Sequence, residues 1–353
     1  MDSNNQTVPK DFILLGLSNN PRVKRFLLIF FCFVYSTTLT SNCSLIILTS
    51  VIQELHSPMY MFICCLSLLD ITFTSVTVPK MLVGLLSERC HISYNGCFTQ
   101  LYFYHFLGCA ECLLLSIMGY DRYVAICHPL HYPQIMNKNA CIRLASSCWI
   151  TGIIYSSVHT ILTASLSFCR SREVSHFFCD MPPLLKISCS DTTINEIVIL
   201  SLGGVVAGAS FLLTVISYIY IISAILKIRS ARGRKKAFST CAAHLTVVSI
   251  FYGTIIIMYL RPQSSHSLQH DKMLSVFHNV ITPMLNPLIY SLRNKDVKDS
   301  IRKLKAISYM FLDTKDSNNS GKMHCREIKF TMRIVALHAT PPVDRTDDEK
   351  HGE

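Results

Sequence analysis

The sequence predicts an all-α membrane protein: a seven-transmembrane helix bundle with a short amphipathic eighth helix. Three observations carry this. Half of the 353 residues are hydrophobic, mean hydropathy is positive, and the apolar residues are gathered into blocks. Seven blocks run over about 26–50, 58–84, 98–124, 141–166, 197–226, 237–260 and 272–292. Each is near the ~20 residues needed to span a bilayer, whereas a soluble globule would mix apolar and charged residues at helix or strand period. The charge fits as well. Of a formal +11, much lies in stretches that seven spans would place on one side.

Those stretches are an inner loop with Arg122, Lys138 and Arg143, another with Lys227, Arg229, Arg232, Arg234, Lys235 and Lys236, and the segment after Leu292. Cations concentrate on the cytoplasmic side of membrane proteins. This explains the positive charge without a nucleic-acid partner. It also places the N-terminus, residues 1–25, outside. No apolar run precedes Phe26, so no cleavable signal peptide is read and the first span would act as its own targeting signal. Asn5-Gln6-Thr7 is a glycosylation acceptor and agrees with an outer N-terminus. Asn42-Cys43-Ser44 has the same pattern but lies inside a span, beyond the reach of that modification.

The bundle domain would cover 26–292. Residues 293–307 read as the amphipathic helix, with Leu292, Val297, Ile301 and Leu304 on one side and cations on the other. Residues 308–353 are polar and of mixed charge, and are expected to form a disordered cytoplasmic tail. Residues 167–196 form a long outer loop, and loops of that length are usually functional or tied down.

Of sixteen cysteines, most lie in spans, where a thiol acts as a small apolar group. Cys90, Cys97, Cys169, Cys179 and Cys189 lie at or near the outer face, where the secretory route favours pairing. Cys90, at a span end, is expected to be free. The other four allow three connectivities, and spacing does not choose among them.

Two acids lie within spans, Asp70 and Glu111, and intramembrane acids default to functional readings. The third span ends on Asp121-Arg122-Tyr123. Ten residues separate Glu111 from Asp121, roughly 15 Å of helix, so Glu111 sits deep and Asp121-Arg122 at the inner boundary. Phosphate-binding glycine loops, zinc-protease helices and nucleophile elbows are absent, and no enzyme is expected.

Asp121-Arg122-Tyr123 resembles the Asp-Arg-Tyr motif of rhodopsin-like G-protein-coupled receptors. The longer string Met118–Tyr132, followed by Pro133, is similar to its odorant-receptor form. Leu55-His56-Ser57-Pro58-Met59-Tyr60, Lys236-Ala237-Phe238-Ser239-Thr240-Cys241, Phe251-Tyr252-Gly253-Thr254 and Pro283-Met284-Leu285-Asn286-Pro287-Leu288-Ile289-Tyr290 resemble that family too. The resemblance covers about residues 8–306. Departures are Ser41 for a usual glycine, Gly119 for a usual alanine, and about forty residues beyond the eighth helix.

The resemblance implies an odorant receptor in the plasma membrane that binds a small volatile and activates a stimulatory G protein, raising cyclic AMP. Trafficking chaperones are implied as further partners. Arg122 would be held by Asp121 at rest and released on activation, Asn286-Pro287 would break the seventh helix, and Tyr290 would swing inward. Tyr123 belongs to the same coupling motif, and Tyr252 stands where other rhodopsin-like receptors carry a tryptophan switch. Asn42 and Trp149 match packing positions. Cys97–Cys179 and Cys169–Cys189 would be the disulfides, pulling the outer loop down as a lid. The acid matching Asp70 binds sodium in related receptors, with Glu111 close by. The other reading is a protonated acid without an ion.

Below the lid, His105 lies about 12 Å down the helix from Cys97. His105, Gly108 and Cys109 share a face by their spacing, as do Tyr252, Ile255, Ile256 and Tyr259 on the sixth span. Val206 and Ala207 join from the fifth. Such a cavity would be apolar with a few polar points, and its residues supply no fixed charge, so a neutral hydrophobic ligand is expected. A soft metal at His105 with Cys109, or at His176, Cys179 and Asp180, is the remote alternative. A non-odour small molecule sensed outside the nose would use the same fold. A channel or transporter is disfavoured, because no inverted repeat or regularly charged helix is present.

Overall fold

The structure, a computed structural model, describes residues 10–169, 171–259, 268–293 and 297. Asn5, most of the expected amphipathic helix 293–307 and the expected tail 308–353 lie outside these residues.

Long helices dominate, and several begin at a recognisable cap. α1 spans Pro21–Val51, with Pro21 at its first position and the Asn20 side chain accepting from the Arg22 N–H. α2, Pro58–Leu86, also starts on proline; an N–H there would be unpaired anyway. α3, Tyr94–Cys127, is capped by Ser93, which accepts from the Gly96 N–H. The short α4, Tyr132–Ile135, precedes α5, Lys138–Ala164, which is capped by Asn137. After α6, Met181–Ile187, the fifth span runs from α7, Thr193–Val198, through a π-helical turn, Ile199–Gly203, into α8, Gly204–Lys227. α9 covers Ala231–Tyr259. The seventh span is α10, Leu268–Val276, a π-helical turn at Phe277–Ile281, and α11, Thr282–Arg293.

Six of these spans are each long and apolar enough to cross a membrane, among the described residues. The seventh is built from shorter pieces. α3 is the axis of the bundle, packed against α2, α5, α8 and α9.

Two helix interiors contain proline, and in lipid the freed backbone groups need internal partners. Pro287 has no N–H for the Pro283 carbonyl. Asn42, fully buried on α1, donates its Nδ2 to that carbonyl at 3.1 Å and to the Thr38 carbonyl at 3.0 Å. A residue read from sequence as packing thus also supplies the donor that proline lacks. On α2, Gln100 Nε2 donates to the Val76 carbonyl at 2.8 Å, in the turn before Pro79 and next to the Ser75 carbonyl that the proline leaves without its helical donor.

At the outer end lies a sheet that the sequence reading did not anticipate. β1, Asp11–Leu14, pairs antiparallel with β2, Cys90–Ser93, and parallel with β3, Glu173–Val174. Residues expected only to be an outer N-terminal segment therefore form its central strand, with Phe12 fully buried. Four residues are too few for a strand period to show in sequence.

Replacing Asn42 by alanine should leave the Pro283 carbonyl unpaired, at a cost of about 1–3 kcal/mol. Thermal unfolding of the purified receptor should show a lowered Tm. A variant as stable as the native protein would mean that this carbonyl has another donor.

Candidate functional site

The outer loop is fastened at several points. Cys97 is joined to Cys179 and Cys169 to Cys189. Gln100, one turn below Cys97, accepts from the Cys179 N–H through its Oε1 at 2.9 Å. The same amide holds α2 through Val76, so one side chain ties lid, α3 and α2 together. Cys90 is buried and outside both disulfides. His176 is stacked on Phe177 and set edge-on to Phe178, and burial, then the Lys272 charge, push its imidazole down to about 3. With Cys179 in a disulfide, a metal set at His176, Cys179 and Asp180 loses its thiolate. Among the described residues, no three His, Cys, Asp or Glu side chains gather as a metal-binding group.

A cavity of about 190 Å³ lies at this outer surface, bordered by Ile13–Asn19, Lys24, Glu88, Arg89 and Cys90. None of the residues expected to bind ligand lines it.

Those residues divide between two sides of α3. His105 faces α5, with its ring 5.6 Å from His159 and 6.2 Å from Tyr155. The Asp180 carboxylate approaches from the lid, its Oδ1 4.0 Å from His105 Nε2. The lid thus brings a carboxylate that spacing along the spans could not reveal. Burial pushes that carboxyl up to about 6, above the usual carboxylate range, while the Met181 N–H works the other way. Gly108 faces α2: a Cβ there would stand 3.8 Å from the Phe73 ring, an ordinary contact. Cys109 is buried.

One turn below Gly108, Cys112 meets the Ser210 hydroxyl at 2.8 Å, and Tyr252 donates to the Cys112 carbonyl at 3.4 Å. Phe211 packs edge-on to Tyr252 at 5.2 Å. Sequence reasoning found Tyr252 and missed Cys112 and Ser210. Their only sequence signal is position, Cys112 being three residues beyond Cys109. Val206 and Ala207 are half-buried, and their carbonyls accept from Ser210. Ile255 is half-buried, Ile256 is 41% exposed, and the Tyr259 side chain lies outside the described residues.

Deeper, Asp70 and Glu111 are both buried. The Asn286 amide donates to both Asp70 oxygens, at 3.0 and 3.2 Å, while its own Oδ1 is buried without a hydrogen-bond partner. Tyr290 is buried, and its hydroxyl is also unpartnered.

At the inner end, Arg122 Nε and Nη2 both donate to Asp121 Oδ2, at 3.0 and 2.5 Å. The other oxygen accepts from the Tyr132 hydroxyl of α4 at 2.8 Å. Burial, then the Asp121 charge, push the Tyr132 hydroxyl up, which keeps it a donor. Tyr123 turns away from this pair, to His128 at 3.1 Å and the Tyr220 ring at 5.7 Å. His244 of α9, absent from the sequence-derived candidates, bonds Tyr218 of α8 at 2.8 Å and the Leu115 carbonyl of α3 at 3.1 Å. That clasp joins three spans beside Arg122.

A family model described as olfactory receptor matches residues 31–307. The chain belongs to the olfactory receptor family. Olfactory receptor 5AP2 of Mus musculus is 50% identical over 305 residues, 86% of this chain and 96% of that protein. Olfactory receptor 5AR1 of Homo sapiens is 47% identical over 304 residues, 86% of this chain and 98% of that protein. The crystal structure of squid rhodopsin aligns with a TM-score of 0.63 at 17% identity, over 80% of this chain and 81% of that one, so the two share a fold. As an olfactory receptor, the protein is a multi-pass membrane receptor of the G-protein-coupled class and not an enzyme.

Tyr132→Phe should remove a hydrogen bond to the charged Asp121 carboxylate, worth about 1.5–3 kcal/mol. Ligand-free activation of the G protein, measured per receptor at the surface, should rise. Unchanged or lower basal activation would show that Tyr132 does not restrain Asp121.

Proposed function

We propose that this olfactory receptor binds a small, neutral, hydrophobic volatile within the helix bundle beneath the lid. It then activates a stimulatory G protein and raises cyclic AMP. One observation carries the reading: α9 holds both ends of the apparatus. Its Tyr252 meets α3 and α8 at the level of Cys112 and Ser210, and its His244, eight residues away, closes the inner clasp. Eight residues are about 12 Å of continuous helix, so a ligand that moves Tyr252 also pulls on His244.

His105, Gly108, Cys109, Val206, Ala207, Tyr252, Ile255, Ile256 and Tyr259 are assigned to ligand. Asp121, Arg122, Tyr123, Asn286, Pro287 and Tyr290 are assigned, with Tyr252, to coupling. A sodium ion fits the Asp70 and Glu111 level, where the unpartnered Asn286 Oδ1 and the Asp70 carboxylate offer oxygen ligands to a hard cation. The N-terminus is assigned to the outside, with glycan on Asn5, and trafficking chaperones are expected partners on the way to the plasma membrane.

In cells given an odorant panel, ligand should raise cyclic AMP, and Arg122→Ala should abolish that response while surface expression persists. Full signalling by that variant would remove the role given to Arg122.

Gly108 supplies a graded test. Alanine meets Phe73 only at ordinary contact distance and should respond within a few-fold of native. Leucine adds methylenes to a packed interior and should nearly silence the receptor. Equal dose–response curves for both variants at the surface would place the ligand elsewhere.

A further inference from the structure

Two imidazole nitrogens on neighbouring helices, His105 Nε2 on α3 and His159 Nε2 on α5, are buried with no hydrogen-bond partner. Buried polar atoms are normally paired, so two together call for an explanation. Their rings stack at 5.6 Å, and Tyr155 packs on His159 at 4.4 Å. Asp180 closes the group from the lid. Its Oδ1 already accepts from the Met181 N–H at 2.8 Å and stands 4.0 Å from His105 Nε2. That gap is too long for a hydrogen bond. The His105 and Asp180 side chains retain 14% and 16% exposure, so the group is not closed by packing. Across from it, a Cβ on Gly203 would meet the Tyr155 hydroxyl at 3.2 Å, and Gly203 ends the π-helical turn of the fifth span. Such turns frequently sit at functional sites.

We infer that His105, His159 and Asp180 form a clamp for a hydroxyl group, so that the receptor prefers alcohols and phenols to aldehydes, ketones and esters of the same skeleton. This rests on the proposed ligand site and names the polar end of its ligand. An oxygen placed about 2.8 Å from both His105 Nε2 and Asp180 Oδ1 bridges their gap. Asp180, as a carboxylate, accepts only, whereas an imidazole nitrogen donates or accepts according to tautomer. A hydroxyl gives its hydrogen to Asp180 and receives one from an imidazole. A carbonyl oxygen has nothing to give, and would bring another acceptor against the carboxylate. The ammonium of an amine would pair with the Asp180 charge and needs no donating imidazole, so it is the competing occupant that the test excludes.

The test uses the full-length receptor in cells and matched probes: octanol, octanal, methyl hexyl ketone, octylamine, cresol and anisole. Octanol or cresol should be the more potent member of its set. Asp180→Asn keeps the cap on Met181, since asparagine caps as well as aspartate. It should lower hydroxyl potency about tenfold, because the acceptor loses its charge, and leave carbonyl responses within a few-fold. His159→Phe should narrow the alcohol-to-ketone ratio in the same direction. Loss of structure alone would lower all probes together and leave that ratio unchanged. If either variant fails to reach the surface, purified native receptor decides the matter: octanol should raise its Tm more than methyl hexyl ketone does.

A carbonyl compound or amine preferred over its alcohol overturns the clamp. So does a ratio untouched by Asp180→Asn, or a panel in which no hydroxyl compound acts. A ketone response that Gly108→Leu abolishes, with alcohols inactive, would remove the clamp and leave the ligand site standing. Responses that ignore both Gly108→Leu and Asp180→Asn would remove both.

Discussion

The bond from Asn42 to the Pro283 carbonyl is the interaction on which spans one, two and seven depend. A bilayer interior offers no water to a freed carbonyl, so a proline inside a span requires a donor from elsewhere. Asn42 provides it, and the register of α1 against α11 is fixed as a result. Three residues beyond Pro283, Asn286 reaches Asp70 on α2. Two amides thus hold three helices through buried polar contacts. Burial raises the stake of each, because a buried group left unpaired costs more than a typical bond contributes.

That economy has exceptions, and they lie where motion is assigned. The Asn286 Oδ1 and the Tyr290 hydroxyl are buried and unpartnered on the inner half of the seventh span. A second arrangement in which they find partners has free energy to gain, which suits a two-state element. On the other side of the bundle, α9 is held to α3 and α8 by His244, and Asp121 is held by Arg122 and Tyr132. These are few and specific bonds, so a small differential affinity of a ligand for one arrangement is enough to shift the balance.

The outer end is built in the opposite way. Two disulfides, a three-stranded sheet and the two-ended Gln100 amide over-determine the lid. A fixed roof lets a loop carboxylate such as Asp180 be aimed at a span residue.

The amino-acid sequence by itself determined the number and place of the spans, because bilayer thickness sets the length of an apolar block. It also located the motif residues Asp121, Arg122, Asn286 and Pro287, whose meaning depends on order along the chain. Helix rotation was far less legible. Spans apolar on most sides carry a weak periodic signal, so the turning of His105 to His159, and of Gly108 to Phe73, was settled only by packing. The sheet escaped notice because β1 is four residues long and its partners lie about eighty and one hundred and sixty positions away. Tyr132 and His244 became visible as site residues only when tertiary structure brought them to partners on other elements, and Asp180, read from sequence only as a remote metal ligand, was set beside His105 in the same way. Local sequence records what a segment gains from lipid or water; which polar atoms then meet depends on tilt and rotation, and those belong to the assembled bundle.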